Sequence, residues 1–578
     1  MNNYHPITPA QIETLIQQGC WAEEWKDIEV TPDFNPSTLH HVTFYGHIRL
    51  SGTSNTNRHK LQTGIQHTTL HNVWIHQDVM IENVRFIEGY QIHSGTNICN
   101  ISELRADTPH ESLFTEGITV GNEAGAPNIS FTPLPNEQID WLRAHHLLPM
   151  PPHPTFPSKH TGYTFASIGE NCTIRHGGII RNVSIGNNST LEGFSHLEKG
   201  AIGERCHIGT QTIARVFHIG DDTHVTDSAK LYHVIATNHC KIGKGFTAEN
   251  CYICHHSELF CGEACSIFAG SHTVSHHKST LLIGGEFSFY NAGSGTNQSN
   301  HAYKLGPIHH GTLARGSKTA SGCHILWPMS TAPFTLIMGK IKTHPTLSKL
   351  PFSYVISDGT TVFVAPGINL CTAGTFRDIQ KWKERGQSSC QGTYDFLSPF
   401  VMQYVFQGIQ TLERLQHDYG TELDSYPYNG TIIRRSSLER GLARYQLAVK
   451  LFAASILPNA DNILPESENW VWLDIAGFIT PYVPSQPIEQ IEQEVLASSN
   501  QDYYTRKQQW GATLLHRYFG NDFLSGVLYK QREEAINEWK QLIIADARKE
   551  FALGDVEACL VEQFIKKVEQ EAESIFSK

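Results

Sequence analysis

The sequence predicts a mainly β fold that winds as a triangular coil, carries inserted loops and ends in an α-helical domain. Three observations support this prediction. An Ile-Gly pair recurs at a constant interval, the aliphatic residues inside that interval fit neither helical nor alternating spacing, and the last third of the chain changes to helical spacing. With 578 residues the chain exceeds one compact core, so an elongated repeat body or several domains are expected.

The first observation is a repeat of 17 residues, marked by Ile-Gly pairs that begin at Ile168, Ile185, Ile202 and Ile219. Aliphatic residues inside each period are spaced by six, five and six positions, as at Ile168, Ile174, Ile179 and Ile185 and again at Ile202, Ile208, Ile213 and Ile219. Such spacing suits a chain that turns a corner about every six residues and points one aliphatic residue inward from each face.

Two further positions of the repeat are small. Four residues after each leading isoleucine stands a small side chain that can tuck into a corner, so that successive coils stack at strand spacing: Cys172, Ser189, Cys206 and Thr223. The glycine that follows each isoleucine is expected to supply the backbone angles of a tight corner.

The motifs IGENCT, IGNNST, IGERCH and IGDDTH, with looser copies IGKGFT at Ile242 and CGEACS at Cys261, resemble those of hexapeptide-repeat proteins. The resemblance is clear over about residues 165–285 and implies a left-handed parallel β-helix. We therefore predict an N-terminal helical or extended segment over 1–40, a β-helix over 41–380 with an insertion near 110–162, and an α-helical domain over 390–578.

Helical elements are predicted at both ends of the chain. Thr8-Pro9-Ala10-Gln11 fits a capping box with proline at the first helical position. Apolar residues recur at helical spacing over 398–415, 437–456 and about 531–576, with Ser398 and Ser437 as the expected N-caps.

Charge and composition narrow the function classes. The 44 basic and 56 acidic residues leave a net charge of −12, which argues against nucleic acid or an anionic membrane as partner and favours a small-molecule substrate or a protein partner. No cationic segment precedes an apolar run and no long apolar stretch occurs, so we expect a cytoplasmic protein without membrane attachment. The thirteen cysteines are expected to be reduced thiols.

Histidine is over-represented, at 33 residues, and many polar side chains crowd a His-rich block over 271–311. Within it, NAGSGTNQSNHAYK superficially resembles the phosphate-binding loop of sugar nucleotidyltransferases. That loop should follow the first strand of an alternating strand–helix domain and carry an arginine where Asn297 stands, so the context does not fit. A nucleotidyltransferase stays an alternative, and a separate phosphate-binding role of the glycines stays open.

The resemblance to hexapeptide-repeat transferases implies an acyltransferase-like enzyme that acts on a sugar or sugar nucleotide, with acyl-CoA or a nucleotide sugar as co-substrate. By that resemblance the general base is among His276, His277 and His301, and Asn291 or Asn297 orients the imidazole or the acceptor. The phosphates and the oxyanion are assigned to a larger set: Lys278, Gly293, Ser294, Gly295, Thr296, Asn297, Lys304 and Arg315.

Two further interpretations remain. Some proteins of this kind, the γ-class carbonic anhydrases, bind zinc with three histidines, and the His-rich corners at 255–256, 272–277 and 309–310 offer the residue type, although no ligand set can be assigned. A β-helix that binds ligands or partners without catalysis is the other. A homo-oligomer, trimeric by resemblance, is expected in each case. The whole chain resembles an uncharacterised family of bacterial proteins related to hexapeptide-repeat transferases, so the resemblance supports the fold more than the reaction.

Overall fold

The structure is a computed structural model that describes residues 4–52, 64–107, 118–121, 128–129, 166–301, 310–386, 394–464, 470–482, 500–554 and 557–576. The predicted insertion near 110–162 lies mostly outside the described residues. The chain divides into two compact units. The first contains the described residues up to Val120, with Asn128 and Ile129 and residues 166–266, and the second contains Gly121 and the described residues from Ile267 onward.

The first unit is a parallel β-helix preceded by helix α1 (Pro9–Gln17). Helix α1 begins at Pro9 after a capping box of Thr8 and Gln11, as predicted. Strands β1–β23 of this unit are His5–Pro6, Trp21–Ala22, Ile28–Val30, Leu39–Leu50, Gly64–Ile75, Met80–Glu82, Ile87–Glu88, Tyr90–Ile92, Asn97–Arg105, Ile118–Thr119, Asn128–Ile129, Ala166–Ile168, Thr173–Ile185, Thr190–Glu192, His196–Ile202, His207–Ile208, Ile213–Ile219, His224–Val225, Lys230–Ala236, Lys241–Gly243, Thr247–Ile253, Glu258–Phe260 and Glu263–Cys265.

The register of these strands confirms the predicted coil. Parallel pairing places Ile168 beside Ile185, Ile185 beside Ile202, and Ile202 beside Ile219, so one sequence repeat is one turn of the β-helix. All four side chains are buried, which stacks the leading isoleucines into one column of the core.

One of the three aliphatic columns was predicted wrongly. Ile179 and Ile213 are only half-buried, and the next residues, Ile180 and Ala214, fill the core instead. The strand that contains Ile179 runs without a break from Thr173 to Ile185, and side chains alternate along it, so a shift of one residue exchanges inside and outside.

The small corner residues behave as predicted. The Ser189 hydroxyl donates to the Gly203 carbonyl at 2.9 Å and accepts from the Cys206 backbone N–H at 3.1 Å. The Cys206 thiol in turn donates to the Gly220 carbonyl at 3.1 Å. Each tucked side chain therefore connects its own coil to the next one.

The role expected of the repeat glycines was wrong. Gly186 and Gly220 have no left-handed φ; a Cβ on Gly186 would lie 2.6 Å from the Gly203 carbonyl carbon. These glycines are needed because the next coil passes too close for any side chain. The left-handed residue comes two positions later, as at Asn188 with φ 58° and Asp222 with φ 55°.

This corner geometry explains part of the histidine excess. Asn, Asp and His tolerate left-handed backbone better than most residues. Histidines of the first unit in that conformation are His41, His67, His176, His233, His239 and His256. The rings of His239 and His256 stack in parallel at 5.0 Å, one coil apart. Such histidines are corner residues of the fold.

The second unit begins with further parallel coils that have three faces. Face A consists of β24 (Phe268–Ala269), β27 (Glu286–Phe287), β30 (Thr312–Leu313), β33 (Ser330–Thr331) and β36 (Thr346–Leu347). Face B consists of β25 (Val274–Ser275), β28 (Asn291–Ala292), β31 (Lys318–Thr319), β34 (Leu336–Met338) and β37 (Tyr354–Ser357). Face C consists of β26 (Leu281–Ile283), β29 (Asn297–Gln298), β32 (His324–Ile325) and β35 (Lys340–Ile341).

The coils end in strands that pair in antiparallel fashion, and helices follow. The remaining strands are β38 (Val362–Ala365), β39 (Ser425–Tyr428), β40 (Thr431–Arg434), β41 (Val471–Ile475) and β42 (Phe478–Tyr482). The helices of this unit are α2 (Ala373–Arg385), α3 (Pro399–Tyr419), α4 (Arg435–Ala453), α5 (Asn500–Phe519), α6 (Asn521–Leu524), α7 (Val527–Lys530), α8 (Arg532–Leu553) and α9 (Ala558–Phe576). The predicted β-helix with a helical C-terminal part is confirmed.

The predicted helix caps are correct in one case and wrong in the other. The Ser398 hydroxyl accepts from the Val401 N–H at 3.4 Å and caps α3. Helix α4 already begins at Arg435, so Ser437 lies inside it. Strand β40 leads directly into α4, and Arg434 occupies the cap position without a side-chain hydrogen bond.

Candidate functional site

Nine of the predicted site residues meet at one edge of the coils in the second unit. Residues 276–280 form the corner between β25 and β26, and residues 293–296 form the corner between β28 and β29. Because β25 pairs with β28 and β26 pairs with β29, these corners stack one coil apart. We call residues 276–280 and 291–297 the His-Gly edge; the predicted members are His276, His277, Lys278, Asn291, Gly293, Ser294, Gly295, Thr296 and Asn297.

The side chains of this edge differ in exposure. His276 is half-buried, whereas His277, Lys278 and Asn291 are exposed. Asn291 begins strand β28 on face B and pairs in register with Val274 of the preceding coil. The half-buried imidazole and the exposed cation therefore stand at the same corner, beside an edge formed largely of glycine and hydroxyl residues.

The glycine corner is shaped by its own hydrogen bonds. The Gly293 N–H donates to the Thr319 hydroxyl at 2.9 Å, and the Thr296 hydroxyl donates to the Gly293 carbonyl at 2.7 Å. Gly295 has a φ of 69°, in the left-handed region. The Gly293 amide is therefore engaged within the fold, which corrects the expectation that it faces an oxyanion.

This corner also differs from a nucleotidyltransferase loop. Residues 293–296 connect two short strands of adjacent faces, since β29 begins directly at Asn297. A phosphate-binding loop of the nucleotidyltransferase kind joins a strand to a helix, whose N-terminal amides hold the phosphate. The geometry of this corner agrees with the sequence context, which does not fit a nucleotidyltransferase loop.

Basic side chains continue along the next coil. Lys318 pairs in register with Asn291, and its ammonium group contacts the Asp378 carboxylate at 2.8 Å. His324 pairs in register with Asn297. Burial and the nearby charge of Lys340 lower the pKa of His324, so its imidazole is neutral at neutral pH.

Two predicted residues, His301 and Arg315, lie away from this edge. His301 is exposed and follows β29, at the other end of face C. Its neighbour Asn300 holds the backbone of Trp327 through two hydrogen bonds, at 2.8 and 3.2 Å. Lys304 lies outside the described residues.

Arg315 does not have the exposed position expected of a phosphate ligand. Its side chain is 1% exposed and contacts the Asp474 carboxylate at 3.5 Å. The guanidinium lies 3.7 Å from the centre of the Phe289 ring and donates to the Gly477 carbonyl at 3.1 Å. Burial lowers the pKa of Arg315, and the negative charge of Asp474 partly offsets this lowering. Arg315 is a buried, paired cation.

Two searches of the described residues bear on the other interpretations. In that part of the chain no three or more His, Cys, Asp or Glu side chains come together as a metal site. Over the same residues no helix is both long and apolar enough to cross a membrane. The twelve cysteines that are described are not joined to one another by disulfides.

Comparisons with known proteins give a family and distant relatives. A family model described as "Domain of unknown function (DUF4954)" matches residues 4–416. A protein of Treponema pallidum (strain Nichols), described as uncharacterized, is 27% identical over 135 residues, which are 23% of this chain and 18% of that protein. The chain thus covers less than a fifth of this relative's length.

Solved structures with some likeness include a UDP-N-acetylglucosamine acyltransferase of Arabidopsis, at 12% identity and a TM-score of 0.22, covering 44% of this chain and 88% of that one. LpxA from Acinetobacter baumannii has 10% identity and a TM-score of 0.11, covering 67% and 83% of the two chains. The fold assignment depends on the strand registers of this chain, and these likenesses add nothing to it.

Proposed function

The chain belongs to the DUF4954 family, and we propose that it is a hexapeptide-repeat transferase of the acyltransferase kind, acting on a sugar or sugar nucleotide at the His-Gly edge. One observation supports this proposal above the others. Nine residues to which the resemblance gives roles in acyl transfer, from two separate stretches of sequence, lie on adjacent coils of one edge.

His276 is the general base in this proposal. It is the half-buried histidine of the edge, whereas His277 and His301 are exposed, and partial burial holds an imidazole in fewer orientations. The acceptor hydroxyl or amine attacks the thioester carbonyl of acyl-CoA and transfers its proton to His276. The carbon–sulfur bond then breaks, and the proton passes to the leaving thiolate.

The phosphates of the donor or the sugar nucleotide are assigned to the same edge. Lys278 supplies an exposed cation, and the backbone around Ser294 and Gly295 offers a surface without bulky side chains. Asn291 orients the acceptor from face B. A homo-oligomer, trimeric by the same resemblance, and a cytoplasmic location belong to this proposal; sedimentation analysis of the full chain tests the assembly.

The proposal is tested with acetyl-CoA and a panel of UDP-sugars on the full chain. Calorimetric titration should detect saturable binding of acetyl-CoA or of a UDP-sugar, and Lys278→Glu should weaken it about tenfold or more, because a charge-assisted contact to phosphate becomes a repulsion. His276→Ala should lower kcat by about 10²–10⁴ with unchanged binding and melting temperature.

The matched control is His277→Ala, an adjacent exposed histidine, which should keep most of the activity. If His277→Ala or His301→Ala abolishes turnover and His276→Ala does not, the assignment of the base is wrong. Absence of binding for every donor and acceptor would support the non-catalytic β-helix instead.

A further inference from the structure

Face A of the second unit carries a cleft that the reaction proposed above does not use. It has a volume of about 300 Å³, at the lower end of the range for small-molecule pockets. One wall consists of outward-facing residues of the coils: Glu286, Thr312 and Ser330. The opposite wall comes from α3, with Phe400 and Tyr404, and from the β41–β42 hairpin with Asp474.

The position of this cleft separates it from the His-Gly edge. That edge joins faces B and C, and face A is the third side of the same coils, across the β-helix from it. A ligand in the cleft would therefore be bound independently of the chemistry at the His-Gly edge.

Two carboxylates and several hydroxyl groups give the cleft its polar chemistry. Asp474 accepts from the Ser288 hydroxyl at 2.5 Å and from the Gly477 N–H at 2.9 Å, besides its contact with Arg315. Glu286 accepts from the Thr312 hydroxyl at 3.0 Å. The acidic groups thus hold fixed positions in the wall of the cleft.

Aromatic rings supply the apolar side. Phe400 and Tyr404 pack edge to face at 5.2 Å on α3 and border the cleft together with Phe268. Burial, with the nearby charges of Asp474 and Glu286, raises the pKa of Tyr404, so its hydroxyl stays protonated and can donate a hydrogen bond.

We propose that this cleft is a second ligand site, which binds a neutral sugar of about monosaccharide size. Carboxylates accept hydrogen bonds from the ring hydroxyl groups of a sugar, and the hydroxyl side chains of the cleft can donate to them or accept from them. The C–H faces of the sugar pack on Phe400 and Tyr404. An anionic ligand is disfavoured, because the one guanidinium of the wall, Arg315, is already bound to Asp474.

The experiment uses the full chain and saturation-transfer-difference NMR with D-glucose, D-galactose and N-acetyl-D-glucosamine as probes. At least one should bind, and glucuronate should bind more weakly. Glu286→Gln should weaken the binding about tenfold or more, because it removes a charged acceptor without changing the shape. Ser330→Phe should abolish binding, because it fills the cleft from face A.

Glu439→Gln is the matched control, since Glu439 is exposed on α4 and lies outside the cleft lining. It should leave sugar binding unchanged, and so should Asn291→Ala, which removes the exposed side chain proposed to orient the acceptor at the His-Gly edge. The proposal is refuted if no neutral sugar binds, if glucuronate binds as tightly, or if binding survives in both Glu286→Gln and a folded Ser330→Phe. Loss of binding on Asn291→Ala would also refute it, because the sugar would then occupy the His-Gly edge.

Discussion

Removing one partner of the buried pair of Arg315 and Asp474 should strongly destabilise the second unit. Their side chains are 1% and 5% exposed, and their charged atoms lie 3.5 Å apart. Asp474→Asn keeps the shape but leaves the guanidinium without its counter-charge, and the new amide group points N–H donors toward other donors. Removing one partner of a buried pair costs about 3–5 kcal/mol.

Thermal unfolding of the full chain measures this effect. At about 2 °C per kcal/mol for a body of this size, Asp474→Asn should lower the melting temperature by about 6–10 °C. The same substitution in the exposed Arg414–Asp418 pair, where Asp418 accepts at 3.3 Å, is the control and should change it little.

A double variant separates charge from packing. Arg315→Met combined with Asp474→Leu removes both charges and should cost clearly less than the sum of the two single changes, because no buried charge is left unpaired. An Asp474→Asn protein as stable as the wild type, or a double variant whose cost equals the sum, would refute the reasoning.

Three further predictions concern the first unit. Gly220→Ala should cost about 1–3 kcal/mol of folding stability, because its Cβ would lie 2.3 Å from the Asn238 side chain and 2.8 Å from the backbone of the next coil. Gly245→Ala has open space around its Cβ and should cost about 1–2 kcal/mol through its φ of 78° alone. Equal melting temperatures for Gly220→Ala and the wild type would contradict this prediction. Ser189→Ala should cost about 1–3 kcal/mol of folding stability, since the Cys206 N–H loses its acceptor, and Ser189→Cys should recover most of this loss. Urea unfolding compares the two variants, and equal midpoints would contradict a stabilising role of the small corner side chains. Burial raises the pKa of the Cys206 thiol from its ordinary 9.0 to about 11, so folding stability should fall as the pH rises above about 9. At pH 8, iodoacetamide should label the exposed Cys559 well before the buried Cys206, as followed by mass spectrometry. Early labelling of Cys206 would show that its corner opens.

The repeat was predictable because one sequence period equals one turn of the coil. Ile168 and Ile185 are 17 residues apart and pair in register on adjacent coils, so a residue type that recurs at this interval forms a column of the core. The third column was assigned one residue early, at Ile179, because alternation inside a long strand gives no fixed starting point.

Local sequence misled on the glycines and the histidines for a common reason. Gly186 was predicted to be glycine because of the backbone angles of a corner. The structure shows that a side chain there is excluded by Gly203 of the next coil, which is 17 residues away in sequence. His239 belongs to a column of left-handed corner residues, so its side-chain chemistry is secondary to its backbone conformation. Residue counts cannot distinguish these roles.

The His-Gly edge was partly predictable, because nearness in sequence carries over to neighbouring coils. His276 and Gly293 are one coil apart, so a crowded stretch of sequence becomes a crowded edge. Arg315 belongs to the next coil but lies at a different corner, where its side chain is buried. The number of residues between two positions does not show which corner each of them will occupy.

The cleft on face A could not be deduced from any local motif, but one residue carried a signal. In strand β41, Trp472 and Asp474 are two positions apart and so share a face, and Trp472 is fully buried. A carboxylate on the buried face of an apolar strand requires a cation or several hydrogen-bond donors nearby. The sequence thus implies a partner for Asp474, but only the packing of the hairpin against the coils identifies that partner as Arg315. The same packing places Glu286 and Asp474 in the lining of one open cleft.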